Sequence, residues 1–70
     1  MVSFMLKVAM VGVGRSGSVL LQFLHDDPGI EVVAVVDKND TADGMILART
    51  LGIPTYIDYK ILADLPHLDF

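Results

Sequence analysis

Cysteine and clustered basic residues are both missing from the sequence, which has 70 residues, no cysteine and a formal net charge of −4. Without cysteine there is neither a disulfide framework nor thiol chemistry, and this fits a reducing compartment. The five lysines and arginines are scattered along the chain. Because nucleic-acid backbones are bound by clustered basic side chains, we do not expect a nucleic-acid partner.

Long apolar runs are missing as well. The N-terminal apolar stretch is interrupted by Lys7 and Arg15, stays well below the roughly 18 residues that indicate a membrane span, and has no small-residue cleavage site after it. We therefore expect neither a signal peptide nor a membrane partner, and the default prediction is a cytoplasmic protein.

Apolar residues are nevertheless abundant. They make up 53% of the chain, and the mean hydropathy is +0.57. A chain of this length buries only about 60% of the surface that its unfolded form exposes. We therefore expect residues 1–70 to be the N-terminal part of one larger domain. The uncovered apolar surface would then lead to self-association or pack against a missing C-terminal domain.

The order of predicted elements is β-α-β-α-β, which indicates an α/β protein with a parallel sheet. Continuous apolar runs predict strands buried on both faces, and apolar residues at i, i+3, i+4 and i+7 predict amphipathic helices. The predicted strands are Leu6–Val11, Glu31–Val36 and Thr55–Ile57, with a fourth beginning at Leu68–Phe70. The predicted helices are Ser16–Leu24, Ala42–Leu51 and a brief helix from Asp58 through Leu65, and the first five residues are expected to be loosely held.

The helical spacing also predicts which side chains face the sheet. The expected inward face of the first helix consists of Gly17, Leu20, Leu21 and Leu24, and that of the second of Gly44, Leu47, Ala48 and Leu51. Two apolar pairs lie off these faces. Val19 and Phe23 suggest a neighbour beyond the sheet, whereas Met45 and Ile46 are interpreted as extra core, or as cover against a missing part of the protein, rather than as a ligand pocket. Without that part, all four would add exposed apolar surface.

Three glycines with the spacing G-x-G-x-x-G follow the first predicted strand: Gly12, Gly14 and Gly17. We expect Gly12 to permit a tight turn, Gly14 to let a pyrophosphate approach the backbone, and Gly17 to let the helix pack closely. The helix that follows presents unpaired N–H groups and a positive dipole end at its start. The motif therefore predicts a site for the pyrophosphate of a dinucleotide.

An acidic residue follows the second predicted strand at the distance that such a site requires. Asp37 lies 20 positions after Gly17 (37 − 17), where a carboxylate can accept hydrogen bonds from the adenosine ribose. The alternative is a surface aspartate that merely ends a strand. Lys38 could meet the 2′-phosphate of NADP, but Asp37 would repel that phosphate. The predicted cofactor is therefore NAD rather than NADP.

The other loop residues, Val13, Arg15 and Ser16, complete the predicted set of cofactor-binding residues. Arg15 either contacts phosphate or adenine or is an exposed arginine without a partner. The Ser16 hydroxyl is expected to face the phosphates from the helix start, since no general base is placed near it.

No catalytic residue and no metal site can be assigned from the sequence. His25 and His67 lie far apart and have no partner at a metal-ligand spacing, so we interpret both as surface or cap residues. Ser18, like Ser16, has no general base that the sequence places beside it.

Three segments carry a family resemblance: Gly12–Gly17, Pro28–Asp37 and Leu47–Tyr59. Together they resemble the N-terminal NAD(P)-binding domain of the glucose-fructose oxidoreductase and inositol dehydrogenase family, and the first half also looks similar to homoserine dehydrogenase. The resemblance implies the first half of a Rossmann-type doubly wound parallel sheet, which would bind the cofactor of an NAD-dependent oxidoreductase. In such enzymes the catalytic lysine and histidine lie far beyond position 70.

The stretch from Asp37 to Ala48 departs from that family because it lacks a helix start rich in glutamate and arginine. It looks more like a Rossmann-type domain at the N-terminus of some bacterial signalling proteins, where the nucleotide would be sensed rather than turned over. An oxidoreductase and a regulatory binding module both stay open. A degenerate fold used only for protein contacts is disfavoured by the intact glycines and Asp37.

Overall fold

The computed structural model describes residues 5–65 and 68–70. The strands are β1 (Leu6–Val11), β2 (Ile30–Val36) and β3 (Thr55–Tyr56), the α-helices are α1 (Arg15–His25) and α2 (Asp43–Thr50), and a 3₁₀-helix covers Tyr59–Asp64. The predicted β-α-β-α-β order is confirmed. The predictions for residues 1–4 and for His67 fall outside the described residues.

The strands form one parallel sheet in the order β1-β2-β3. β1 pairs with β2 along its whole length, from Leu6 opposite Ile30 to Val11 opposite Val36. β2 is the central strand, and its consecutive residues Val35 and Val36 are both almost completely buried. Since neighbouring side chains of a strand point to opposite faces, both faces of β2 are covered there. This explains the apolar run that predicted the strand.

The segment Leu68–Phe70 lies along the edge of β1 that does not face β2. The Asp69 amide donates to the Lys7 carbonyl at 2.8 Å, and the Ala9 amide donates to the Phe70 carbonyl at 2.9 Å. The Phe70 amide also donates to the Lys7 carbonyl, at 3.3 Å. Three backbone hydrogen bonds therefore join the segment to β1 where the start of a fourth strand was predicted, although residues 68–70 do not themselves form a strand. The order of segments across the sheet is β3, β2, β1 and then residues 68–70.

Helices α1 and α2 pack on β2 and on each other. The core between the sheet and the helices consists of Val8, Met10, Val13, Leu21, Val32, Val35, Ala42, Met45, Ala48 and Ile53. Neither α-helix in the described part of the chain has the length and apolarity needed to cross a membrane.

The predicted inward face of α1 is wrong at Leu20, which is 51% exposed, whereas Leu21 is fully buried. Leu20 instead lines an apolar groove along β1, together with Ala9 and Phe70. The physical reason is that α1 packs partly on α2, which turns Leu21 into the core and leaves Leu20 on the β1 side. Val19 and Phe23 are exposed, as predicted.

The interpretation of Met45 as extra core is confirmed and its expected exposure is wrong, because its side chain is fully buried in the core, while its neighbour Ile46 is 53% exposed. The N-terminal turn of α2 lies against the loop after β1, where the Gly44 amide donates to the Val13 carbonyl at 2.7 Å. This contact rotates the helix so that Gly44, Met45 and Ala48 face inward.

The burial of Met45 generates a stability prediction with a matched control on the same helix. We expect Met45→Ala to lower the free energy of unfolding by about 2–5 kcal/mol, because it leaves a cavity in the core. Ile46→Ala removes a half-exposed side chain and should cost much less. Urea unfolding monitored by circular dichroism measures both, and equal losses would contradict the assignment of Met45 to the core.

Candidate nucleotide-binding site

Two of the three motif glycines are required by the fold itself. Gly12 directly follows β1 and has φ of +79°, a conformation that side chains other than glycine rarely adopt. Gly17 lies in the first turn of α1, where a Cβ would come within 2.9 Å of the Gly12 carbonyl oxygen. Gly12 thus forms the turn and Gly17 the close contact between turn and helix, as the motif predicts.

Gly14 differs from the other two, because nothing within the described chain requires it to be glycine. Its φ is −66°, and no described atom lies within 4 Å of the position where a Cβ would stand. Gly14 is exposed and is the N-cap residue of α1. The space above its backbone is open, as it must be where a ligand approaches the main chain.

The N-terminus of α1 is free of competing side chains in the described chain. No side chain caps this helix there, and its first turn contains no acidic residue. Arg15 and Ser16 are exposed at its start, and Ser18 Oγ donates to the Arg15 carbonyl at 2.8 Å. The first N–H groups and the positive end of the helix dipole are therefore directed at the open space beside Gly14.

Asp37 connects the end of β2 to the glycine loop. Its Oδ2 accepts a hydrogen bond from the Val13 amide at 2.8 Å, and its Oδ1 accepts one from the Asn39 amide at 2.8 Å. The Asn39 bond and then the Val13 bond hold the pKa of Asp37 below its usual value. A carboxylate has about four acceptor positions, so two remain for a ligand hydroxyl.

A cleft of about 310 Å³ lies beside Asp37, at the carboxyl ends of β1, β2 and β3. Its lining consists of Val11, Gly12, Val36, Asp37, Lys38, Ile57 and Tyr59. The sequence analysis did not identify Ile57 and Tyr59 as site residues. Their position at the end of the third predicted strand and just after it was an available signal, since parallel strands end at the same edge of a sheet.

The loop that carries Lys38 is held by α2. Arg49 Nη1 donates to the Asp40 carbonyl at 2.9 Å, and the Arg49 guanidinium also forms an ion pair with the Asp40 carboxylate. Both side chains are exposed, so the ion pair contributes at most about 1 kcal/mol. This pair orders the loop next to the cleft and was not predicted from the sequence.

The predicted site residues therefore fall into two groups at one edge of the sheet. Gly12, Asp37 and Lys38 line the cleft. Gly14, Arg15, Ser16 and Gly17 form the start of α1 beside it. Val13 joins the groups through its backbone, because its side chain is fully buried and its amide binds Asp37.

The lowered pKa of Asp37 generates a prediction about acid stability. A carboxyl whose pKa is lower in the folded chain than in the unfolded chain stabilises the fold above the ordinary aspartate pKa of about 3.9. That stabilisation is lost as the pH falls through the lowered pKa. We expect the difference in free energy of unfolding between the wild type and Asp37→Asn to shrink as the pH falls from about 7 to about 2. Urea unfolding measures this difference, and a constant value across the range would contradict the prediction.

Comparison with known proteins agrees with this geometry. Residues 6–70 match the family model described as an oxidoreductase family with an NAD-binding Rossmann fold. No curated protein and no solved structure matched the chain. The family model covers nearly the whole chain and includes the glycine loop, α1, β2 and Asp37. The chain therefore belongs to the NAD-binding Rossmann oxidoreductase family, the family of glucose-fructose oxidoreductase and inositol dehydrogenase.

Proposed function

We propose that this chain is the cofactor-binding part of an NAD-dependent oxidoreductase. The observation that carries the proposal is the open space at Gly14, where no described atom lies within 4 Å of the position of a Cβ and a ligand can approach the backbone. The site contains the groups that a dinucleotide needs, at one edge of the sheet. When bound, the nicotinamide cofactor supplies a hydride donor or acceptor.

The pyrophosphate is assigned to the glycine loop and the start of α1. Gly14 lets the phosphates approach the backbone, and the N–H groups of the first turn donate to their oxygens. Arg15 is exposed at the same helix start and can add a charge-assisted hydrogen bond. Ser16 is the second residue of the helix and is exposed, and we assign its hydroxyl to the phosphates as well.

The adenosine is assigned to Asp37 and the adjoining cleft. The free acceptor positions of the Asp37 carboxylate suit the hydroxyls of a ribose. The apolar and aromatic side chains of Ile57 and Tyr59 line the same cleft, and they are more than half exposed, so a flat base could cover them. A 2′-phosphate would stand against Asp37, which favours NAD over NADP.

We also make proposals about the rest of the protein, its contacts and its location in the cell. We place the catalytic groups outside residues 1–70, because the family resemblance assigns them to a further part of the enzyme. The exposed apolar groove along β1, with Leu20 and Phe70 in its lining, is the surface through which self-association or a further domain would act. A cytoplasmic location and the alternative role as a nucleotide sensor also stay predictions, and the same site would serve the sensor.

The role given to Asp37 is tested by the preference between the two dinucleotides. We expect the full chain to bind NADH at least about tenfold more tightly than NADPH, because the 2′-phosphate meets a carboxylate. Isothermal titration calorimetry with both cofactors at one ionic strength measures the ratio. Equal or tighter binding of NADPH would remove this role of Asp37, and the absence of binding of either would overturn the proposed site.

The role given to Gly14 is tested by placing a side chain in the open space. Gly14→Val should leave the fold intact, because no described atom lies within 4 Å of the added Cβ, yet it should weaken NADH binding by at least about a hundredfold. Ser18→Ala is the matched control, since the Ser18 hydroxyl donates to the Arg15 carbonyl and has no proposed contact with the ligand. If circular dichroism finds both variants folded and calorimetry finds equal affinities, the glycine loop has a structural role only.

A further inference from the structure

Gly44, at the second position of α2, touches the glycine loop more closely than any side chain would permit. Its amide donates to the Val13 carbonyl at 2.7 Å. A Cβ on Gly44 would lie 2.4 Å from Val13 Cβ and 2.5 Å from the Val13 carbonyl oxygen. Carbon atoms do not approach so closely, so any other residue at position 44 must push Val13 or the start of α2 away.

The start of α2 depends on this contact. Its N-cap residue is Ala42, and no side chain caps the helix within the described residues. The Val13 carbonyl, which belongs to another segment, therefore caps the helix by accepting a first-turn N–H, as the side chain of a serine or aspartate N-cap usually does. The loop after β1 and the beginning of α2 are consequently held as one unit.

Val13 is held from its other side as well. Its amide donates to Asp37 Oδ2 at 2.8 Å, and its side chain is fully buried. The residue between Gly12 and Gly14 is thus fixed at its N–H by the end of β2 and at its C=O by the start of α2. The positions of both flanking glycines follow from where Val13 is held.

We propose that Gly44 is a fourth glycine of the cofactor site. It is a positioning residue that sets the distance between the glycine loop and the start of α2, and through it the affinity for the dinucleotide. This inference rests on the proposed function. Gly44 is buried beneath Val13, so it acts on the ligand only through the loop. The G-x-G-x-x-G spacing does not include it, because it lies on another helix.

The helix propensity of alanine distinguishes this role from a general effect on the stability of α2. Alanine is a better helix former than glycine, so Gly44→Ala alone would favour the helix. The contact with Val13 opposes this gain. A loss of cofactor affinity in Gly44→Ala therefore reports on the displaced loop rather than on a weakened helix.

Titration of the full chain with NADH tests the proposal. We expect Gly44→Ala to bind NADH at least about tenfold more weakly than the wild type, and Ile46→Ala, an exposed position on the same helix, to bind within about twofold of it. In ligand-free samples, the ¹H–¹⁵N resonances of Gly12 and Gly14 should shift in Gly44→Ala and stay in place in Ile46→Ala. A folded Gly44→Ala with wild-type affinity and unchanged loop resonances would overturn the inference.

The same experiments distinguish failure of the inference from failure of the proposed function. A wild type that binds neither NADH nor NADPH overturns the proposed function. Equal NADH affinities of the wild type and Gly44→Ala overturn only the role of Gly44.

If Gly44→Ala does not fold, hydrogen exchange in the wild type decides. NADH should then slow exchange at the Gly44 amide together with the loop amides. Slowing confined to the loop, with Gly44 unchanged, would overturn the inference.

Discussion

The hydrogen bond from the Val13 amide to the Asp37 carboxylate is the interaction on which the site depends. It joins the end of β1 to the end of β2, which are 24 residues apart at this contact. Because the charged form of Asp37 is the acceptor, the Asn39 bond and this bond lower the pKa of the carboxyl, and this bond also fixes the loop between Gly12 and Gly14. The carboxylate proposed to bind ribose therefore also positions the backbone proposed to bind phosphate.

Parallel topology explains why these groups meet. β1, β2 and β3 all run in the same direction, so the segments that follow them leave the sheet at one edge. The glycine loop follows β1, Asp37 follows β2, and Ile57 follows β3 by one residue. A cleft is left between these segments because each segment turns away from the sheet into a helix. The start of α2 contacts the glycine loop through Gly44.

The sequence predicted the parts of this arrangement that depend on local pattern and missed those that depend on how helices are rotated. Apolar runs placed β1 and β2 correctly, and the interval between Gly17 and Asp37 predicted that the glycine loop and this carboxylate come together. Leu20 was assigned to a buried face and Met45 was left open between core and exposed surface, because a helical stripe does not specify which neighbour a helix also packs against. Tyr59 was missed although it follows the third predicted strand, whereas Gly44 could not be placed at the site until the docking of α2 was known.

Four glycines at or beside the site differ in what opposes a side chain there. At Gly12 the obstacle is backbone conformation, at Gly17 it is the Gly12 carbonyl, and at Gly44 it is Val13. A side chain at any of these positions disturbs the fold as well, so loss of binding there has to be compared with a structural measurement such as the loop resonances. At Gly14 no described atom lies within 4 Å of the position of a Cβ, so the described chain offers no steric obstacle there. Gly14 is therefore the position where function can be tested separately from the fold.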